Sequence, residues 1–534
     1  MRRLKQHNQS FAGSTEHIFT GMIIVFLSIF LTAVFFSSNP AHGAMDLADE
    51  PMMTIIKPAP ANIMILLDDS GSMTFEVLAA GYYEGRFPNP DEDEQDGFCY
   101  IFNLPGENAF QDAIRYMEQA DRKLWKSQSH EYNVIYYNPE TNYDPWPGDG
   151  IQDFLPANIE FPKLHPSKKK SGTIDLDEKS FSVTLDMDAL PDDTLQVKHA
   201  HYFRKADNGV IYLVVLDGDE KKTKYFAITD VEGSGLAEKV KKVKSVSGPP
   251  GEIRVNEYDR ARQNFANWFT YHRRRNYVAM SAIAGVIKNL KGVRVGILSI
   301  NGTIIVPLKP VGVWEEGIYH DETTALLQEL YTCDFRGDTP LREALYDVGN
   351  YYRSHSKTLS HFRGNSVAGE HPPYLPEAEG GACQQSFTII VTDGYYSYDI
   401  EDLKVDNADG DDKSPYDDGC YADSLPETMA DVAMYFYEND LSPDPEDTPS
   451  GKGLADRVYD PDLIYKRSPD NAPHQHMVTY AMAFGIAGNL NPENYVLDPV
   501  SLHYLKEINK KNDSYGNYPN WPGRIDAKSI ETVD

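Results

Sequence analysis

Apolar residues predominate, without regular alternation, in four short segments, Ile63 to Leu67, Val293 to Ile300, Phe387 to Val391 and Met477 to Phe484. Such apolarity over these lengths predicts strands buried on both faces, as in a parallel sheet, where a one-sided strand would alternate. Between the runs the pattern changes to stripes. Tyr277, Met280, Ile283, Ile287 and Leu290 recur at helical spacing, Leu341 to Tyr352 follows a Thr-Pro start, and Met429 to Tyr437 carries another stripe. Strand and helix alternate, which predicts an α/β fold with a doubly wound, mostly parallel sheet. After the second run Asn301-Gly302 is a turn signal, so Thr303 to Leu308 is expected to return as a short antiparallel edge strand.

Residues 75–259 separate the first strand from the first long helix, far more than a βα connection needs. They are expected to form a β-rich inserted subdomain, with strands at Asn133 to Tyr137, Val210 to Leu216 and Tyr225 to Thr229. The α/β domain is then discontinuous, residues 60–74 and 260–534. Asp91 to Glu94 reads as a solvated loop, and the lysines of Lys239 to Lys244 as edge-strand protection or linker. Two later loops, Ser354 to Ala382 and Tyr398 to Pro426, are acidic. Placing Gly410 at the fixed glycine of an EF-hand puts Val405 where the first ligand belongs, so Ca²⁺ has only weak support.

Composition changes this picture in three ways. The start carries Arg2, Arg3 and Lys5, an apolar run from Gly21 to Phe36, and Ala41-His42-Gly43-Ala44, the order of a secretory signal peptide spanning residues 1–43. The run is shorter than the ~20 residues of a spanning helix, so the mature chain is expected to be exported with no stable membrane span. Lys plus Arg total 50 against 81 Asp plus Glu, and the net charge of −31 excludes general attraction to nucleic acid or anionic lipid. Cys99, Cys333, Cys383 and Cys420 lack CxxC spacing, which disfavours zinc. Cys333 and Cys383 each precede a candidate ligand loop and are the preferred disulfide pair, with buried free thiols as the alternative. No GxSxG, Walker loop or HExxH is present, so no enzyme is expected, and a secreted hydrolase is the weaker class.

Chemistry concentrates at the ends of two predicted strands and the start of one predicted helix. The first strand ends in Asp68-Asp69-Ser70-Gly71-Ser72, Gly337-Asp338-Thr339-Pro340 opens a helix, and the third strand ends in Val391-Thr392-Asp393-Gly394. Each string alone is an ordinary turn. In this order they resemble the metal-ion-dependent adhesion site of von Willebrand factor type A domains, a Rossmann-like family. That resemblance implies Asp68, Ser70, Ser72, Thr339 and Asp393 as ligands of Mg²⁺ or Mn²⁺, the all-oxygen set suiting a hard octahedral cation. The simpler alternative is that Asp68 and Asp393 cap loops. Asp69 and Asp338 fall outside the pattern and are read as supporting or solvated groups. Arg336-Gly337-Asp338 spells an integrin-recognition tripeptide that the glycine before the threonine explains.

Further strings narrow the family. Asn133 to Pro139 leading to Tyr143-Asp144-Pro145-Trp146, Asn264 to Tyr271 followed by Arg273 to Arg275, and Asp431 to Tyr437 resemble the type IV pilus tip-associated proteins of the PilY type. The resemblance implies a metal-dependent protein that aids pilus assembly and adhesion at the periplasm, pilus tip or cell surface. Its partner would be a minor pilin, a pilus-tip subunit or a surface receptor, engaged through an acidic group. It also implies a C-terminal β-propeller, whereas these residues end at Ile530 to Asp534, near the expected last helix of the type A domain. A generic exported type A binding protein unrelated to pili is the alternative. Intact-mass measurement of protein from the exporting host should show loss of the first 43 or 44 residues, and retention of Met1 would overturn the export reading.

Overall fold

The first apolar run becomes β1 (Ala61–Leu67), the middle strand of a five-stranded sheet. The computed structural model describes residues 59–80, 85–90, 97–104, 115–150, 153–186, 193–315, 317–353, 361–363, 365–366, 371–394, 403–410, 426–443, 454, 458, 472–484, 495–497, 504–509 and 514–515. The expected signal peptide, Asp91 to Glu94, Cys420 and residues 516–534 lie outside them.

A 3₁₀ turn, Gly71–Thr74, follows β1, and the chain then builds β2 (Lys179–Leu185), β3 (Thr194–Lys198), β4 (His201–Lys205), β5 (Ile211–Asp217), β6 (Lys222–Glu232) and β7 (Lys239–Ser245). Helices α1 (Tyr258–Tyr271) and α2 (Arg275–Asn289) lead into β8 (Val293–Ser299) and β9 (Ile305–Val311). The hairpin of β10 (Val313–Glu315) and β11 (Ile318–His320) precedes α3 (Thr323–Leu330) and α4 (Leu341–Arg353). The two-residue strands β12 (His361–Phe362) and β13 (Asn365–Ser366) come next, followed by β14 (Ser386–Thr392), α5 (Met429–Glu438) and β15 (Met477–Ala483). Finally β16 (Tyr495–Leu497), β17 (Tyr504–Asn509) and β18 (Ser514–Tyr515) make a small antiparallel sheet.

The central sheet runs β15-β14-β1-β8-β9, parallel throughout except for β9, which returns antiparallel to β8. Leu67 lies opposite Val391 on one side and Ser299 on the other, so the carboxyl ends of β1, β14 and β8 are level. The strand order reverses direction at β1, and in open α/β sheets the crevice at such a reversal, outside the carboxyl ends, is where ligands bind. Successive residues of β1 serve opposite faces. Met64 and Leu66 join Leu298, Ile390, Leu345 and Phe436 in one core under α4 and α5, while Ile63, Ile65 and Leu67 are buried towards the other face. There α3 lies against β8 and β9, and α2 packs on α3. Burial of each large aliphatic side chain contributes roughly 1.5–3 kcal/mol, which is why a strand with no polar face takes the centre.

Two readings of the inserted residues need correction. The segment from Asn133 to Tyr137 is a turn anchored at its first residue. Asn133 accepts from the Leu78 amide at 2.9 Å and donates to the carbonyls of Glu76 at 3.1 Å and Ser127 at 2.8 Å. Tyr136 and Tyr137 are thereby buried beside Trp268 of α1, so the aromatic run packs on a helix instead of pairing in a sheet. Lys239 to Lys244 belongs to β7, an interior strand of the sheet β3-β2-β7-β6-β5-β4. Val240 and Val243 enter its core with Phe181, Phe203 and Leu213 while the neighbouring lysines stay in water, a pattern that the density of charge hides.

The cysteine pairing also differs. Cys333 and Cys383 carry free thiols. Cys333 lies beside Thr303 past the carboxyl end of β8, its sulfur 3.6 Å from the Thr303 hydroxyl, whereas Cys383 immediately precedes the amino end of β14. A seven-residue strand spans about 20 Å, far beyond the Cα separation a disulfide tolerates.

Helix α4 approaches α5 closely at Gly349, where an added Cβ would run into the Phe436 ring. Gly349→Ala should therefore cost about 1–3 kcal/mol through overpacking, measured as a lower urea midpoint at unchanged slope.

Candidate functional site

The turn after β1 folds on its own carboxylate. Asp68 is fully buried at the end of β1, and its Oδ1 accepts from the Ser70 amide at 2.8 Å, which bends the backbone back over the strand end. Its Oδ2 accepts from the Thr392 hydroxyl at 2.6 Å, across the β1–β14 pair. The Ser70 and Ser72 hydroxyls are 3.0 Å apart, and Ser72 Oγ donates to Asp393 Oδ1 at 3.0 Å. Asp68, Ser70, Ser72 and Asp393 thus form one hydrogen-bonded arc over the carboxyl ends of β1 and β14.

Thr339 arrives on a separate loop. The Arg336 amide donates to the Asp69 carbonyl at 2.7 Å, and the Gly71 amide to the Gly337 carbonyl at 3.2 Å, which lays this loop beside the Asp68–Ser72 turn. Gly337 has φ +98° and would press a side chain onto Asn301, so glycine is required there. The Arg336-Gly337-Asp338 tripeptide serves this backbone pairing. Asp338 is exposed, and Thr339, half-buried, stands two residues before α4. Asp69 proves to be a bolt and not a solvated group. Its fully buried carboxylate accepts from Asn301 N at 2.8 Å, Asn301 Nδ2 at 3.0 Å and Thr303 Oγ1 at 2.6 Å, tying the β8–β9 turn to the same loop.

Electrostatics make this a strained corner. Burial, and then the charge of Asp393, push the Asp68 carboxyl up to about 7, against the opposing hydrogen bonds from Ser70 and Thr392. Burial and the nearby Asp69 push the Cys333 thiol up as well, so the cysteine beside the site is an inert thiol. Asp393 has a partner the sequence reading missed, Arg275 at the start of α2, whose Nη1 donates to Oδ2 at 2.6 Å with both side chains buried. Arg275 Nε also donates to the Val77 carbonyl at 2.9 Å, and its amide to Phe75 at 3.1 Å. One residue on, Glu76 accepts from Ile101 and Phe102 amides at 3.0 and 2.9 Å and from Arg273 Nε at 3.1 Å. The stretch 75–77 is thus stapled to the Arg273-Arg274-Arg275 triplet.

Chemically the arc offers two carboxylates and two hydroxyls, with a third hydroxyl on the adjoining loop, all of them hard oxygen donors suited to Mg²⁺ or Mn²⁺. Among the described residues no cluster of three or more His, Cys, Asp or Glu could hold a metal. The candidate set depends on hydroxyls instead. Thr392, Asn301 and Arg275 were invisible to motif reading because their role is set by what lies opposite them. Three successive arginines behind an aromatic helix in a chain of net charge −31 were the available signal.

No family model matches the chain, and no solved structure matches it significantly. Over 528 residues it is 23% identical to the protein named "Type IV pilus biogenesis factor PilY1" of Pseudomonas aeruginosa strain PAO1. The chain is distantly similar to PilY1. That alignment covers 94% of the chain and 38% of PilY1, and the PilY1 of strain PAK is 22% identical over 536 residues, 93% of the chain and 39% of that protein. The chain therefore spans about two fifths of the length of these PilY1 proteins.

Glu76 offers a direct test of the staple. Glu76→Ala leaves a buried guanidinium without its counter-charge and should cost about 3–5 kcal/mol, read by denaturant unfolding, whereas a loss under 1 kcal/mol would show that water replaces the carboxylate.

Proposed function

We propose that this chain is a metal-dependent binding protein of the type IV pilus system, aiding pilus assembly and surface attachment, and not an enzyme. The observation that carries this reading is the hydrogen-bonded arc of Asp68, Ser70, Ser72 and Asp393 at the point where the strand order reverses, in a chain distantly similar to PilY1. The resemblance to the von Willebrand factor type A adhesion site supports Thr339 as the fifth donor. Mg²⁺ or Mn²⁺ held there would supply a Lewis-acidic centre able to take a carboxylate from a partner. A chain of net charge −31 repels carboxylates in general, so an exposed cation turns one patch into an attractive site. The partner of that chemistry is a protein with an acidic surface group, a minor pilin or pilus-tip subunit. Localisation follows the same reading: exported, at the periplasm, pilus tip or cell surface. Among the described residues no helix is long and apolar enough to cross a membrane.

Two measurements test this. Mg²⁺ or Mn²⁺ should raise the melting temperature of the mature chain through preferential binding to the folded state, and Asp68→Ala and Asp393→Ala should each abolish the rise. Equal metal binding by wild type and both variants would refute the ligand set. Thr339→Ala should weaken capture of the pilin partner with fold and export intact, and chelation should mimic it. Recovery of the same partner with and without chelator would make any metal structural.

A further inference from the structure

We infer that Arg275 is a built-in counter-cation of the candidate site, which holds the site's geometry before any metal arrives and weakens the affinity for a divalent cation. This rests on the metal-binding reading above and deepens it. Arg275 Nη1 is 2.6 Å from Asp393 Oδ2, while Ser72 Oγ is 3.0 Å from Oδ1 of the same carboxylate. One side of Asp393 thus answers to a fixed positive charge and the other to the hydroxyl arc. The guanidinium has nowhere to withdraw to, because Nε is held on the Val77 carbonyl at 2.9 Å and the backbone amide on Phe75 at 3.1 Å, both inside the protein.

Two consequences follow from a cation that cannot leave. Without metal, the Asp393 carboxylate is held between the guanidinium and the Ser72 hydroxyl, so that end of the arc keeps its shape. With metal, the incoming divalent charge meets a resident positive charge across a shared carboxylate, in surroundings where such interactions are weakly screened. The site becomes one of low affinity that fills and empties with ambient Mg²⁺, and its partner binding is graded by the ion.

The test is calorimetric titration of Mg²⁺ into the mature wild-type chain, Arg275→Gln and Arg275→Lys, together with melting curves in chelator and in excess Mg²⁺. Arg275→Gln should bind Mg²⁺ roughly tenfold more tightly or better, the size of effect one neighbouring charge has on another. It should also melt lower than wild type in chelator and recover most of the difference in Mg²⁺. Arg275→Lys, which keeps the charge, should stay within about twofold of wild type in affinity. Unchanged or weaker binding by Arg275→Gln would overturn the inference, as would tightening by Arg275→Lys equal to that by Arg275→Gln. If Arg275→Gln does not fold in chelator, folding restored by Mg²⁺ supports the inference and failure at every Mg²⁺ concentration overturns it. Wild type that binds no Mg²⁺ while Arg275→Gln does would remove the native metal role and leave the counter-cation standing. Binding by wild type that Arg275→Gln fails to strengthen would do the reverse.

Discussion

A carboxylate taken out of water must be met by charge or by hydrogen bonds, and the architecture around β1 is arranged to meet that demand at one corner. Asp68, Asp69 and Asp393 are all essentially buried at the carboxyl edge of the central sheet. Each is answered differently: Asp68 by a turn amide and a cross-strand hydroxyl, Asp69 by Asn301 and Thr303, Asp393 by Ser72 and a guanidinium. Because the donors come from β14, from the β8–β9 turn, from α2 and from the loop itself, satisfying three acids fixes four elements. Burying charge stabilises little by itself, since desolvation offsets much of the attraction. Its effect here is to select one arrangement of those elements, as any other leaves a charge unmet.

The same logic joins the inserted residues to the sheet. The chain leaves the site along 75–77 and, after the six-stranded sheet and α1, returns at Arg273 to Arg275, where both crossings are bonded together. Arg262 of α1 reaches Asp177 at 2.7 Å and the Leu216 carbonyl at 2.7 Å, fastening the inserted sheet at a second place. Aromatic packing does the rest, with Trp268 Nε1 donating to the Ile135 carbonyl at 2.9 Å and Trp146 Nε1 to that of Tyr271 at 2.8 Å. Large rings that carry one polar atom fill the join and use that atom to satisfy backbone.

What could be read in the sequence divides along a physical line. The runs at Ile63, Val293 and Phe387 showed parallel strands because a strand buried on both faces favours apolar residues over alternation, and the helical stripes of α2, α4 and α5 follow equally from burial on one side. The Met477 run pairs in parallel too, but as the edge strand β15 it leaves Tyr480 and Met482 exposed, where burial on both faces was expected. Periodicity failed where another force took over. In Asn133 to Tyr137 a side-chain amide serves three backbone groups and defeats the strand. In β7 only Val240 and Val243 turn inward, and the lysines around them disguise an interior strand. The Asp68, Ser70 and Ser72 spacing was legible because a local turn places all three. The guanidinium on Asp393 was not, because it lies 118 positions away in the chain and is brought there only by the fold.

The position of β1 also determines when the molecule can become itself. Its side chains bond partners 232 and 324 positions further along, on β8 and β14, so the strand at the centre of the sheet emerges first and waits longest. Contacts so distant are slow to form because loop closure must precede any gain. The inserted sheet, whose strands lie between Lys179 and Ser245, closes over much shorter separations, the widest being the β2–β7 pairing of Thr184 with Lys242. Once it and α1 are in place, Glu76 and Arg273 meet across 197 positions, and the ends of the insertion are drawn together. Joined there, the two ends of the insertion leave a far shorter path between β1 and β8 than the intervening sequence does.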